Sequence, residues 1–256
     1  MVWPDDKESM TLNGVVKDRE HVKRFFEKFT PEIRVEGIDN TLTTRQNIKD
    51  SVDQVVRGRP PLMVAYFQGH SQGGSGPLRY VTGDRNEDGS LEGFTAEKLI
   101  KMFSKLSQCT MSMVITDVCN FGNLYRLQFQ LILDGDRYLW WETNEWSEDN
   151  KLGRKYRITS PMLHVAASLE WQSAYETDKR GGYLTNSLGA AEPRTLPQLL
   201  LHLRQGVDGH MKDAKIHPRS PLAQELTQFP QIFSTYKLPL DDPEIFSKIY
   251  LGTAKP

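Results

Sequence analysis

Apolar residues along this chain follow two rhythms, one of helical period and one of short unbroken runs. Val22, Phe25, Phe26 and Phe29 share one face at helical spacing, which predicts a helix over 17–29 stopped by Thr30-Pro31. A strand over 33–37 follows, and Thr44 opens a second helix through Val55-Val56 as the N-cap of a capping box closed by Gln46. Leu62-Met63-Val64-Ala65-Tyr66-Phe67 and Met111-Ser112-Met113-Val114-Ile115 are apolar runs of strand length, with a helical pattern over 96–106 between them. Strand, crossover helix, strand in that order is how parallel neighbours buried on both faces read in sequence. Phe129 to Leu133 and Tyr138 to Trp141 flank Asp134-Gly135-Asp136, a hairpin signal. The stretch 142–157 is polar and reads as an exposed loop. A strand from Met162, an amphipathic helix over 196–212 and a last strand over 231–236 complete the pattern. The expectation is one α/β domain over 1–256, divided into 1–133, a hairpin and linker over 134–158, and 159–256.

Each of the two apolar runs gives way to a polar turn that holds a reactive side chain. The first continues as Gln68-Gly69-His70-Ser71-Gln72-Gly73-Gly74, the second as Thr116-Asp117-Val118-Cys119-Asn120-Phe121-Gly122. In open parallel sheets reactive groups gather beyond the carboxyl ends of the strands, so His70 and Cys119, 49 positions apart, can meet across one crevice. A thiol becomes a good nucleophile when it loses its proton, and an imidazole can take that proton and return it to a leaving amine. The plain alternatives are a histidine satisfied by hydrogen bonds at a strand end and a cysteine that merely packs. Asp117 lies two positions before Cys119 and projects to the same side of an extended backbone. A carboxylate there opposes thiolate formation, so its use is either to receive a cationic side chain or to cap nearby amides. Cys109 reads as a buried apolar filler. At opposite ends of one strand the two cysteines cannot pair.

These segments resemble a caspase-fold cysteine peptidase, closer to the metacaspases of fungi and plants than to animal caspases. Gly69-His70-Ser71-Gln72 is similar to the histidine loop and Asp117-Val118-Cys119-Asn120-Phe121-Gly122 to the cysteine loop, with Asn120 and Phe121 where that family commonly has His and Ser. Ser160 to Ser168 resembles the next core strand, Gln172-Ser173-Ala174-Tyr175-Glu176 the pocket segment, and Gly181-Gly182-Tyr183-Leu184-Thr185-Asn186-Ser187-Leu188 the helix start that follows. A His about 50 residues ahead of the Cys is also a caspase feature. The likeness spans about 12–238. It implies a three-layer α/β/α sandwich with a mostly parallel central sheet and helices on both faces. It also implies His70 as base and acid, Cys119 as nucleophile, and the N–H groups of Ser71 and Cys119 as oxyanion hole. Asp117 would line a pocket for Arg or Lys before the scissile bond. The family's second acid falls at Tyr175, with Glu176 one position late. The family's first strand precedes the segment matching Leu12-Asn13-Gly14-Val15-Val16-Lys17-Asp18, and only Met1-Val2-Trp3-Pro4 stands there to supply it. The competing expectation is an inactive caspase-like interaction module.

Composition leaves that picture standing. The 256 residues, 38% hydrophobic and 25% charged, suffice for one ample core, and a formal charge of −1 gives no pull toward nucleic acid or an anionic membrane. No apolar run reaches spanning length and no leader pattern precedes Lys7, so the expected location is the cytoplasm or nucleus. Polypeptide is the expected partner, with oligomeric state left open. Asp84, Asn86 and Asp88 match the front of a calcium loop, but Thr95 stands where its bidentate Glu belongs, so calcium is a possible ligand and no cofactor is required. Gly69 to Gly76 lacks the ending of a phosphate loop, and His202, His210 and His217 lack zinc spacing. Trp140, Trp141 and Trp146 are candidates for a surface or for hairpin packing. Lys151, Arg154 and Lys155 in the polar stretch offer a self-cleavage site to a basic-specific peptidase, or simply solvate a loop.

Overall fold

The computed structural model describes residues 12–29, 43–73, 76–153, 155–216 and 227–254. The strand read over 33–37, the question of the first core strand, Arg154 and His217 all lie outside the described residues.

Helix α1 is Val15–Glu27, and its stripe of Val22, Phe25 and Phe26 is buried as the spacing predicts. Helix α2, Arg45–Gly58, starts at Thr44, whose hydroxyl accepts from the Asn47 amide. Gln46 does not close a capping box. The position three past Thr44 belongs to Asn47, and Gln46 turns to Asp50 at 2.7 Å. Strand β1, Leu62–Gln68, leads into a small antiparallel sheet of β2, Ser71–Gln72, β3, Arg79–Arg85, and β4, Leu91–Thr95. Helix α3, Ala96–Phe103, crosses to β5, Met111–Asp117. The hairpin of β6, Phe129–Asp134, and β7, Arg137–Glu142, turns at Gly135, whose φ of +61° suits a residue without Cβ. Helix α4, Asn144–Lys151, strand β8, Met162–Ala166, the short pair β9, Glu176–Thr177, and β10, Gly181–Gly182, and helices α5, Tyr183–Ala190, and α6, Leu196–Ile216, follow. Strand β11, Gln231–Ser234, and helix α7, Ile245–Tyr250, end the chain.

The main sheet has the order β1-β5-β8-β11-β6-β7. β1, β5 and β8 pair in parallel, and β11 joins antiparallel between β8 and β6. Alternation along β5 sends Met111, Met113 and Ile115 to a core under α1, α5, α6 and α7, while Val114 meets a second core under α2 and α3. Helices on both faces of a mixed sheet make the three layers expected.

Two readings need correction, and a third divides between its alternatives. The stretch 142–157 is not a free loop, because Thr143 caps α4 and Asp149 is buried against Arg126 at 3.3 Å. Arg157 Nη2 also donates to the Asp149 carbonyl at 2.7 Å. Cys109 is exposed, because it lies in the turn before β5, one position short of the buried run from Thr110. Of the tryptophans, Trp140 is in the core and donates to the Leu238 carbonyl at 2.7 Å, whereas Trp141 is 60% exposed on the edge strand.

Candidate active site

The register Gln68↔Asp117 aligns the ends of β1 and β5, and His70 and Cys119 stand two residues beyond those partners on the same rim. The two loops touch, since Asn120 Nδ2 donates to Ser71 Oγ at 3.4 Å. Val81 N donates to the His70 carbonyl at 3.0 Å. In an antiparallel ladder the next residue's amide faces the other way, so the Ser71 N–H points away from β3. Asn120 adopts φ +60°, a left-handed conformation that Asn tolerates better than most residues and that turns the chain sharply after the thiol. Its amide donates to the Gln172 carbonyl at 2.7 Å. The Cys119 sulfur accepts from the Ala174 amide at 3.2 Å and lies 3.6 Å from the Ala174 carbonyl.

Gln172 and Gln228 knit the rim together. Gln172 Oε1 accepts from the amides of Leu169 and Phe229, and its Nε2 donates to Thr227 Oγ1. Gln228 Oε1 accepts from the Tyr175 amide, and its Nε2 donates to the Ala167 carbonyl.

Alternation along β5 carries Asp117 onto the α1 side of the sheet, where it meets two more carboxylates. Asp18 of α1 is fully buried. Its Oδ1 accepts from the Gly182 amide at 2.7 Å and from the Thr185 hydroxyl, and its Oδ2 from Gln68 Nε2. Glu176 accepts from the Asn13 amide at 3.1 Å and from the same Gln68 nitrogen at 3.4 Å. The close approach depends on two glycines. Gly181 sits at φ +79°, and a Cβ there would collide with Asp18, as one at Gly182 would with Asp117. Burial pushes the Asp117 carboxyl well above the ordinary range, and Asp18 and Glu176 push it further, with Thr185 opposing. Asp18 and Glu176 are raised as well, by burial first. Asp117 Oδ2, the Tyr66 hydroxyl and Gln68 Oε1 are buried without a hydrogen-bond partner.

Of the predicted pocket residues, Asp117 and Glu176 therefore converge, and Tyr175 does not. Tyr175 faces the other way, toward Tyr183 with ring centroids 6.3 Å apart, among Val207 and Met211. One step along an extended segment reverses a side chain, so the residue one position late is the one that turns toward Gln68 and Asp117. Asp18, Gln68 and Tyr66 carry no role in the sequence reading. The available signal for Asp18 is an acid in line with the apolar stripe of α1, four positions before Val22.

The candidate calcium residues turn to local partners. Asp84 Oδ2 accepts from the Arg45 amide and the Thr82 hydroxyl, Asp88 Oδ1 from the Ser90 amide, and Asn86 Nδ2 donates to Ser90 Oγ. Among the described residues no group of three or more His, Cys, Asp or Glu side chains is placed to hold a metal ion. No helix among them is long and apolar enough to cross a membrane.

The family model described as Caspase domain matches residues 5–239. The crystal structure of a Geobacter sulfurreducens protein shares the fold with TM-score 0.55 at 11% identity, over 89% of this chain and 86% of that one. Caspase-1 from Spodoptera frugiperda gives TM-score 0.47 at 14% identity, over 90% and 82%. No curated protein matches the chain.

Proposed function

From the chain's membership of the caspase-domain family, we propose that it is a cysteine endopeptidase that cuts polypeptides after Arg or Lys. Cys119 Sγ attacks the scissile carbonyl while His70 takes the thiol proton. The N–H groups of Ser71 and Cys119 hold the oxyanion. His70 gives its proton to the leaving amine, and water activated by His70 then hydrolyses the thioester. Asp18, Asp117 and Glu176 receive the cationic side chain, and the chemistry calls for no cofactor. The observation that carries this reading is the unpartnered Asp117 Oδ2, which meets buried Asp18 and half-buried Glu176 with no cation among them. Carboxylates are rarely buried without a cation to compensate them.

The second reading is an inactive interaction module, and one observation favours it: the Ala174 backbone engages the Cys119 sulfur with both its amide and its carbonyl. Fluorogenic peptides ending in Arg, Lys, Asp or citrulline, offered to the wild type and to Cys119→Ala, separate the two. The expected result is cleavage after Arg or Lys, lost in the variant. Cleavage that survives Cys119→Ala removes the proposed nucleophile, and preference for Asp or citrulline removes the cation pocket.

A further inference from the structure

The three acids differ in how their oxygens are satisfied. Asp18 takes two donors on one oxygen and the Gln68 amide on the other. Glu176 takes the backbone amides of Asn13 and Gly14 and the same Gln68 nitrogen. Asp117 is hydrogen-bonded by Thr185, yet its Oδ2 has no partner. Several groups face Asp117 across the pocket. They are Asp18 from α1, with His21 one turn on, Tyr66 and Gln68 from β1, Glu176 from β9, and Gly182 and Thr185 where β10 meets α5. Among these groups there is no lysine or arginine. Like charges crowded in a buried site cannot all ionise, and the carboxyl with an oxygen left open is the one that keeps a proton.

We propose that Asp117 holds a proton in the empty pocket and releases it when a cationic side chain enters. This rests on the cation-pocket reading above and adds to it that substrate selection is gated by pH. The step balances: the Asp117 O–H bond breaks, its proton passes to the solvent, and the new carboxylate is neutralised by the incoming cation. Tyr66, whose hydroxyl is unpartnered beside it, and Gln68 complete the lining. Below the pKa of Asp117 in the empty pocket, each unit of acidification weakens cation binding roughly tenfold, and a neutral side chain of the same shape feels nothing.

The test is calorimetry of Cys119→Ala protein with an Arg heptapeptide and its citrulline counterpart, at pH 6 in phosphate and in Bis-Tris, whose heats of ionisation differ. The expected result is preferential binding of the Arg peptide with release of about one proton, absent when Asp117→Asn is added on the same background. Thermal melts establish that both proteins are folded. Arg binding with identical heats in the two buffers overturns the proton release and leaves the cation pocket standing. Release that persists in Asp117→Asn overturns the assignment to Asp117. Equal binding of the two peptides, or binding of neither at millimolar concentration, removes the cation pocket itself.

Discussion

Thr116 and Asp117 are consecutive on β5, both buried, and face opposite sides of the sheet. Thr116 looks into the core under α2 and α3, where its hydroxyl meets His164 Nε2 at 2.8 Å. His164 is closed in by Tyr125 edge-on at 4.9 Å and by Phe233 stacked at 5.8 Å, and burial pushes its pKa down to about 3. Asp117 looks toward α1, into a group of like charges with an oxygen left open. Both sites resist charge, one by staying unprotonated and the other by staying protonated. The closed site serves the fold. The open one holds back the charge that a ligand would bring out, which is a different use of the same burial.

The largest expected contrast comes from removing each side chain. His164→Ala should cost about 3 to 5 kcal/mol in urea unfolding, because it empties a stacked, fully enclosed position. Asp117→Asn should instead stabilise the protein by about 1 to 2 kcal/mol at pH 8, while discrimination between Arg and citrulline peptides collapses. If both variants destabilise alike, the distinction between the two sites is wrong.

Acidity should separate them by sign. The unfolded histidine protonates near 6.5 and the folded one near 3, so stability is intact above 6.5 and drains as pH falls through that window, at about 1.4 kcal/mol per unit. Asp117 is raised, so its contribution is full below the ordinary carboxylate value of 3.8 and drains as pH climbs through its shifted range. Stability curves against pH for the wild type and Asp117→Asn should diverge on the alkaline side only.

Gly182→Ala should cost about 1 to 3 kcal/mol and weaken selection for Arg, since the added methyl strikes the Asp117 carboxylate. Thr116→Val is the smallest change, at about 1 kcal/mol, because it leaves His164 Nε2 without its partner. That loss should appear in thermal melts without altering peptide selection.

Much of this fold is legible in the residues. The stripe of α1, the β5 run, the turn at Gly135 and the cap at Thr44 are local patterns that the surroundings reinforce. Helices α4 and α7 are not, because α4 has no apolar stripe and leans on Arg126, 23 positions before Asp149, and the six residues of α7 are too few to show a period. In the candidate site, the strand-end positions of His70 and Cys119 follow from the apolar runs. Asp18 is hidden because its partners Gly182 and Thr185 lie more than 160 residues away. Glu176 rather than Tyr175 joins Asp117 for a reason that only the direction of an extended segment settles.

Gln172 and Gln228 give the rim a property of their own. Because these two amides lace the backbone beside Cys119 to residues 227–229, the cleft cannot be recut one position at a time. Anyone grafting a new specificity onto this scaffold must transplant 172–176 together with 227–229 as matched halves, since either half alone arrives with its stitches severed.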